Sequence, residues 1–374
     1  MVKYIECYPE YLELEEFLKR LMRILNLSFI PGKTLKSYRK YIPTTFLFYV
    51  FISAIFTILY HEQDLTIFLL RIIPVVGFSQ LIAKSLSLHA DSEELKTLFL
   101  YFQEAHRVHK FQLITDTSRI HLKKSLSTIK TIIRFAIPVM FSVGFGLASY
   151  FIYVDKMFLA IPGIFPTPNV TSFYQHIHQV SVLLLTDLIF IIEDSVIISI
   201  GFYFIAILNI FLSIIKHINT FLDINSKRQY LVQLYEIHCN ILDKFGIFQK
   251  VFYYTITLQI ATSVVIIMFI FFLLQTEGGI AFLPMFFSVT SQVGLVCLLG
   301  QLMYSQTERF STELYLTNWW ELGSKEQKMI LIMMYISHRP IGLKLAGMYD
   351  INVKMFSDVM KAGISFCTLL STFT

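Results

Sequence analysis

Ten histidines and four cysteines are the side chains of this sequence best suited to metal or nucleophilic chemistry, and their placement argues against both. No histidine falls deep within an apolar stretch. His176-x-His178 has a spacing that can hold a metal, but it lacks a third ligand, so a loop pair near a bilayer surface is the plainer reading. His61-Glu62-Gln63-Asp64 lacks the second histidine of a zinc-protease helix. Intramembrane zinc hydrolases need several histidines on neighbouring spans, and none is on offer. Cys7, Cys239, Cys297 and Cys367 supply no two thiols on one exposed loop, so they read as small buried or cytosolic residues. No enzyme, no cofactor and no nucleic-acid partner is expected.

Charges inside apolar stretches are the second chemically active group. Arg71 lies about one and a half turns into the stretch 66–88, and Asp187, Glu193 and Asp194 fall within 180–212. Such charges are costly in a bilayer and mark function by default. Two readings stay open: an ion pair between Arg71 and one of these carboxylates, or a polar corner of a binding cavity. Both can hold, because a buried cation needs a partner either way. Near them lie aromatic and small residues: Phe68, Phe145, Gly146, Tyr150, Tyr153, Phe190, Phe282, Phe286 and Phe287. Any single phenylalanine is as readily packing as pocket. Gly146 and Tyr150 stand out, since a glycine one turn from a tyrosine makes room beside a polar handle. A concave, mostly apolar site of this kind suits a small volatile organic ligand.

A third pattern closes the chain. Ser365, Leu369 and Thr372 are spaced i, i+4, i+7, with Thr368 on the flank. Small hydroxyls of this kind mediate helix packing in bilayers. The alternative is a face that lines water, enclosed by several copies of the helix around an axis. Leu369 would then be a constriction that gates by dewetting, with Thr372 as a polar ring one turn outward.

The elements that must carry these residues follow from composition. Of 374 residues, 55% are hydrophobic and 15% charged, with a mean hydropathy of +0.62. Soluble domains average about 25% charged, so this is the composition of a membrane protein. Seven stretches approach the roughly 20 apolar residues needed to cross a bilayer: 42–60, 66–88, 131–154, 180–212, 251–274, 279–303 and 351–374. Of 31 Lys and Arg, 25 fall in the N-terminal segment and the second, fourth and sixth loops, and only Lys156 falls on the other side. Cytoplasmic loops hold the basic excess. The expected fold is therefore an all-α membrane protein with seven transmembrane helices, its N-terminus cytoplasmic and its C-terminus extracellular. That orientation is the reverse of a G-protein-coupled receptor, and the Asp-Arg-Tyr and Asn-Pro-x-x-Tyr motifs of that class are missing. The first forty residues lack a signal-peptide apolar core, so no cleavage is expected. No internal repeat supports a transporter built from inverted halves.

The three inner loops read helical. Segments opening at Asp91 and Tyr230 carry apolar residues at helical spacing, and the segment opening at Ser324 begins with a capping box to Gln327. They either lie on the membrane surface or extend the spans inward and pack together beneath it as a cytoplasmic anchor. The outer third loop holds Pro162, Gly163, Pro166 and Pro168 and reads as an irregular lid. It carries the glycosylation triplet Asn169-Val170-Thr171. If the cavity, anchor and pore readings hold, the chain divides into a cytoplasmic segment (1–41), six helices with a ligand cavity in their outer half (42–303), anchor helices (304–350) and a last, pore-lining helix (351–374).

The sequence from Cys297 onward resembles the insect odorant receptor family. Cys297, Gly300, Gln301, Glu308, Tyr315 and Trp319 match its Cys-x-x-Gly, Ser-Glu and Ala-x-Tyr-x-x-x-Trp pattern, with Thr307 for the usual Ser and Glu313 for the usual Ala. Pro340, Gly347, Phe356, Ser365 and Leu370 fall in register with the family's closing stretch. The resemblance covers roughly the last 80 residues and implies an odorant-gated, non-selective cation channel in the plasma membrane of sensory neurons. It further implies a tetramer shared with a common co-receptor and embedded in membrane lipid, joined by the anchor, each subunit lending its last helix to the pore. An aliphatic gate is implied at Leu369; Thr372 departs from the glutamine usual there. The short loop 216–250 looks like that of an odorant-tuning subunit. The implied ligand site lies in the outer half between spans two, three, four and six, where Gly146 and Tyr150 match positions the family uses. A gustatory receptor of the same superfamily is the close rival, since Ser365-Phe366 and Thr372-Phe373 echo its final motif.

Overall fold

The apolar run at 180–212 has no polar face, and a helix that is hydrophobic all round must be buried. It becomes the central post of the bundle, α6 (Phe173–Lys216), with 89% of its most apolar window buried. The computed structural model describes residues 3–25, 42–59, 65–90, 92–154, 158–164, 173–220, 224–276, 279–370 and 372. Around the post stand α2 (Ile42–Leu59), α3 (Leu65–Ala90), α5 (Gln112–Tyr153), α7 (Ile224–Leu273) and α8 (Leu283–Tyr315), with α10 (Val353–Leu370) packed on α7 and α8. α5 runs along α6, α3 packs on α7, and α2 reaches the bundle through α3.

Among the described residues, six helices are long and apolar enough to cross a membrane: α2, α3, α5, α6, α7 and α8. The seventh expected span, α10, is helical over its described 18 residues but carries Lys354, Asp358 and Lys361. The 50 residues of α7 span about 75 Å at about 1.5 Å per residue, against about 30 Å of hydrocarbon. The 230–245 segment is thus an extension of a span beyond the bilayer. α4 (Ser92–Ala105) packs on α6 and α7, and α9 (Ser324–Ser337) on α7 and α8, so the inner helices join one layer. α1 (Tyr8–Leu25) closes that layer with Tyr11, Leu14 and Leu18 buried, and the Tyr11 hydroxyl donates to the Phe99 carbonyl at 3.1 Å.

One local expectation is corrected. α9 is not capped by Ser324: the N-cap is Gly323, with no side-chain cap, and the Gln327 side chain donates to the Trp320 carbonyl instead. Ser324 is already helical, so its hydroxyl is one residue too late to cap. The described part of the outer third loop is tied down. Ala160 accepts from Ser53 and donates to Thr57 (2.5 and 2.8 Å), and Phe158 donates to Gln179 (3.1 Å). Before α10, a hairpin pairs β1 (Lys344–Leu345) with β2 (Tyr349–Asp350). Its turn places Ala346 and Gly347 at φ 49° and 74°, the left-handed pair of a type I′ turn.

Candidate functional site

In the apolar half of α7 (251–273), Thr255, Gln259, Thr262 and Ser263 recur at i, i+4, i+7 and i+8, and all four are buried. This polar stripe meets α3, where the Thr262 hydroxyl donates to the Gln80 carbonyl oxygen at 3.1 Å. One turn inward on α3, Lys84 is fully buried and pairs with Asp194 of α6. Asp194 also accepts from the Gln292 amide of α8 at 2.6 Å, and the Lys84 ammonium lies 4.9 Å from the centre of the Phe190 ring. Three helices are therefore joined through one carboxylate. Glu193, next in the chain, is wholly buried, and neither carboxyl oxygen has a partner among the described residues.

The cation of this ion pair is Lys84, which corrects the expected pairing through Arg71. Depth explains the difference. Lys84 is 19 residues into α3 and Asp194 21 residues into α6, about 29 and 32 Å from their outer ends. Arg71 is only about 9 Å into α3 by the same rise. It is half-buried there, and no described carboxylate pairs with it.

A cavity of about 100 Å³ opens beside Asp194, between α5, α6, α7 and α8. Met140, Asp194, Ser195, Gln259, Ser288 and Gln292 contribute to its wall, and the rest is largely isoleucine, valine and leucine. The Ser288 hydroxyl donates to the Met140 sulfur at 3.0 Å. Of the residues singled out in the sequence for a ligand, Asp194 lines this cavity. Tyr150, Phe282 and Phe286 come together farther out in an apolar cluster with Ile73, with 5.9 Å between the rings of Tyr150 and Phe282. Met140 and Tyr150 are ten residues apart on α5, about 15 Å along the helix. Phe190 packs part-buried against the neighbouring cluster.

Phe68 is exposed near the outer end of α3, and Phe145 and Gly146 lie on an exposed face of α5. Gly144 is the glycine at which α5 meets α6: a Cβ there would fall 1.4 Å from an Asp187 carboxyl oxygen, whereas one on Gly146 would meet nothing within 4 Å. Ser365, Thr368, Leu369 and Thr372 form the face of α10 turned away from the bundle, all exposed. Thr368 and Thr372 donate to the carbonyls three residues back, at 2.8 and 2.6 Å. The opposite face is held, Cys367 donating to the Phe271 carbonyl and Gly363 lying against Phe271. His178 bonds the Tyr49 hydroxyl and His176 the Gln179 amide. Among the described residues no cluster of three metal-binding side chains occurs. Asn169 lies outside the described residues.

Lys84, Gln259, Gln292 and Gly144 were not singled out in the sequence. The four-residue polar spacing on α7 is the signal that points to Gln259; the others become visible only once helix facings are known.

The Cys-x-x-Gly pattern also acquires a physical basis. Gly300 lets α8 touch the strand leading into α10, since a Cβ there would stand 2.2 Å from the Ile351 carbonyl oxygen. Cys297, one turn earlier on α8, is buried. No curated protein sequence matches the chain. Solved structures that share its fold include two of one receptor. One is the insect olfactory receptor OR5 from Machilis hrabei in complex with eugenol, at TM-score 0.77 and 16% identity over 98% of this chain and 100% of that one. The other is the same receptor described without eugenol, at TM-score 0.70 with the same identity and coverage. A family model described as 7tm Odorant receptor matches residues 64–363, so the chain belongs to the odorant receptor family.

Proposed function

We propose that this protein is an odorant-sensing subunit of a heteromeric ligand-gated, non-selective cation channel. The family match over 64–363 carries the reading. The fold it shares with a receptor bound to eugenol supports a small organic ligand here as well. In this reading the ligand enters the outer half of the bundle. There Tyr150, Phe282 and Phe286 supply an apolar, aromatic surround, and Phe190 and Asp194 lie deeper. Basic side chains concentrated in the N-terminal segment and three loops support a cytoplasmic N-terminus and an extracellular C-terminus. The layer built by α1, α4, α9 and the inner ends of α7 and α8 is the anchor through which subunits meet. α10 lends Ser365, Thr368, Leu369 and Thr372 to a shared pore, a role supported by their exposure opposite the face that α7 holds. The partner is a common co-receptor in a tetramer in the plasma membrane of sensory neurons.

Whole-cell recording tests this. Cells expressing the chain together with an odorant co-receptor should pass cation currents in response to members of a volatile panel that the co-receptor alone ignores. Normal surface levels with no ligand-dependent current across the panel would refute the receptor reading.

A further inference from the structure

A second cavity, of about 410 Å³, lies in the inner layer between α4, α5, α6 and α7, and the loop joining α4 to α5 lends it residues 107–110. Its distance from the bilayer follows from α7. Asn240, in its wall, precedes the apolar half of α7 at Val251 by 11 residues, about 16 Å along the helix. Headgroups reach only about 5–8 Å beyond the hydrocarbon on each side. The cavity therefore opens to water, out of reach of a lipid whose tails stay in the membrane.

Its lining has an apolar and a basic part. Val108 is 46% exposed and Tyr101 and Ile237 are part-buried, so hydrocarbon is left uncovered there, with Ile207 and Ile210 of α6 behind it. Two cations stand at the edge with weak partners. Arg107 approaches Glu104 at 3.7 Å, beyond hydrogen-bond reach, and Lys110 donates to the neutral amide oxygen of Gln229 at 3.3 Å. Burial lowers the pKa of His109, so this third basic side chain is mainly neutral near pH 7. Arg107 and Lys110 against Glu104 leave the lining a net charge of +1, two positive less one negative. Volume sets the size of an occupant. A cavity of about 150 Å³ holds the six carbons of benzene, so one of about 410 Å³ holds about 16 non-hydrogen atoms.

We propose that this inner cavity binds a single-chain amphiphile with one negative charge, a fatty-acid carboxylate of about 12–14 carbons. The carboxylate accepts from Arg107 and Lys110, and the chain covers Val108, Tyr101 and the isoleucines of α6 and α7. The site lies apart from the outer aromatic cluster at Tyr150 and takes the opposite kind of ligand, charged and involatile. Only the statement that it faces the cytoplasm rests on the receptor reading; the binding itself is measurable without any current.

The test is equilibrium dialysis of radiolabelled dodecanoate against the full chain in phosphatidylcholine nanodiscs at about pH 8, where a carboxylate is ionised. Empty nanodiscs are the reference for lipid uptake. Wild-type protein should bind dodecanoate saturably and bind 1-dodecanol, the same chain without the charge, roughly tenfold more weakly. From octanoate upward each added methylene should tighten binding by about fourfold, and the gain should stop beyond about 14 carbons, where the space is full. Arg107→Gln/Lys110→Gln should lose roughly tenfold in dodecanoate affinity, while Arg107→Lys/Lys110→Arg keeps it. Both positions are exposed, so neither pair of changes threatens the fold. No saturable uptake beyond empty nanodiscs, equal binding of the alcohol, or an unchanged affinity in the double glutamine variant would overturn the proposal. Charge-dependent dodecanoate binding in a chain that gives no odorant current sustains this site while counting against the receptor reading. Odorant currents from a chain without saturable dodecanoate binding do the reverse.

Discussion

Replacing Lys84 by methionine keeps the length of the side chain and deletes the charge that pairs with Asp194 inside the bundle. Lys84 is fully buried, and Asp194 is left with the Gln292 amide alone. Removing one partner of a buried ion pair typically costs about 3–5 kcal/mol, because the other charge stays desolvated and unpaired. Net stabilities run to about 5–15 kcal/mol, so the loss should be visible as reduced surface delivery and a lower melting temperature. Asp194→Leu should cost less. Glu193 is adjacent and its oxygens are unpartnered among the described residues, so it can take over Lys84. The double variant Lys84→Met/Asp194→Leu removes both charges, and apolar replacements of buried pairs are often neutral. It should recover most of the loss, giving a coupling of about 2 kcal/mol or more in a double-mutant cycle. Melting of detergent-solubilised protein, followed by fluorescence size exclusion, reads all four proteins. A double variant as unstable as the sum of the singles would refute the ion pair as the organising contact.

Gly300→Ala should lose about 1–3 kcal/mol, since its Cβ meets the Ile351 carbonyl oxygen at 2.2 Å, while Gly246→Ala, exposed within α7, should gain up to about 1 kcal/mol; melting curves of the same sign would contradict the close approach. Burial holds His106 and His238 of the inner layer down to about 4, with a backbone carbonyl bond and Glu15 opposing it at His106. Unfolded histidine titrates near 6.5, so the unfolded chain binds the extra protons, and stability is complete above about pH 6.5 and falls on the way to about 4. Each site contributes about 3 kcal/mol to that fall; denaturation between pH 7 and 4.5 should show a shallower slope in His238→Gln, and an unchanged slope would remove this histidine from the account. Leu369→Ser at normal surface level should raise basal current by easing hydration of a dewetted gap, whereas a lipid-facing Leu369 would leave it unchanged. Thr372→Glu should alter calcium permeation or block, and unchanged ion selectivity would take Thr372 out of the pore.

What the sequence made legible was whatever depends on length and order alone. Six apolar runs became long helices, two of them with a proline inside (Pro74 in α3, Pro138 in α5), and α7 runs on from its span through 224–250, which contains one glycine and no proline. Facing was harder to read. α6 is apolar on every side, so its pattern cannot say which neighbour lies where; Asp187 and Asp194, two turns apart, share one face and Glu193 stands about 100° away from it. Lys84 escaped notice because it sits near the inner end of its span, where a lysine usually reaches for water; only the depth of Asp194 on another helix makes it interior. Gly144 and Gly146 show the same limit at the smallest scale. They are two residues apart, so they face roughly 200° away from one another at about 3.6 residues per turn. Tyr150, the reason for choosing Gly146, is one turn along the same helix and carries no information about α6. The reason for Gly144 is the Asp187 carboxyl that would occupy its Cβ position, and that group belongs to a different helix 43 residues later. Composition and periodicity determine that α5 and α6 are helices and that α6, apolar on every side, is the buried one. Which glycine lies between them is decided by their rotation about each other, a property of the pair that neither stretch carries alone.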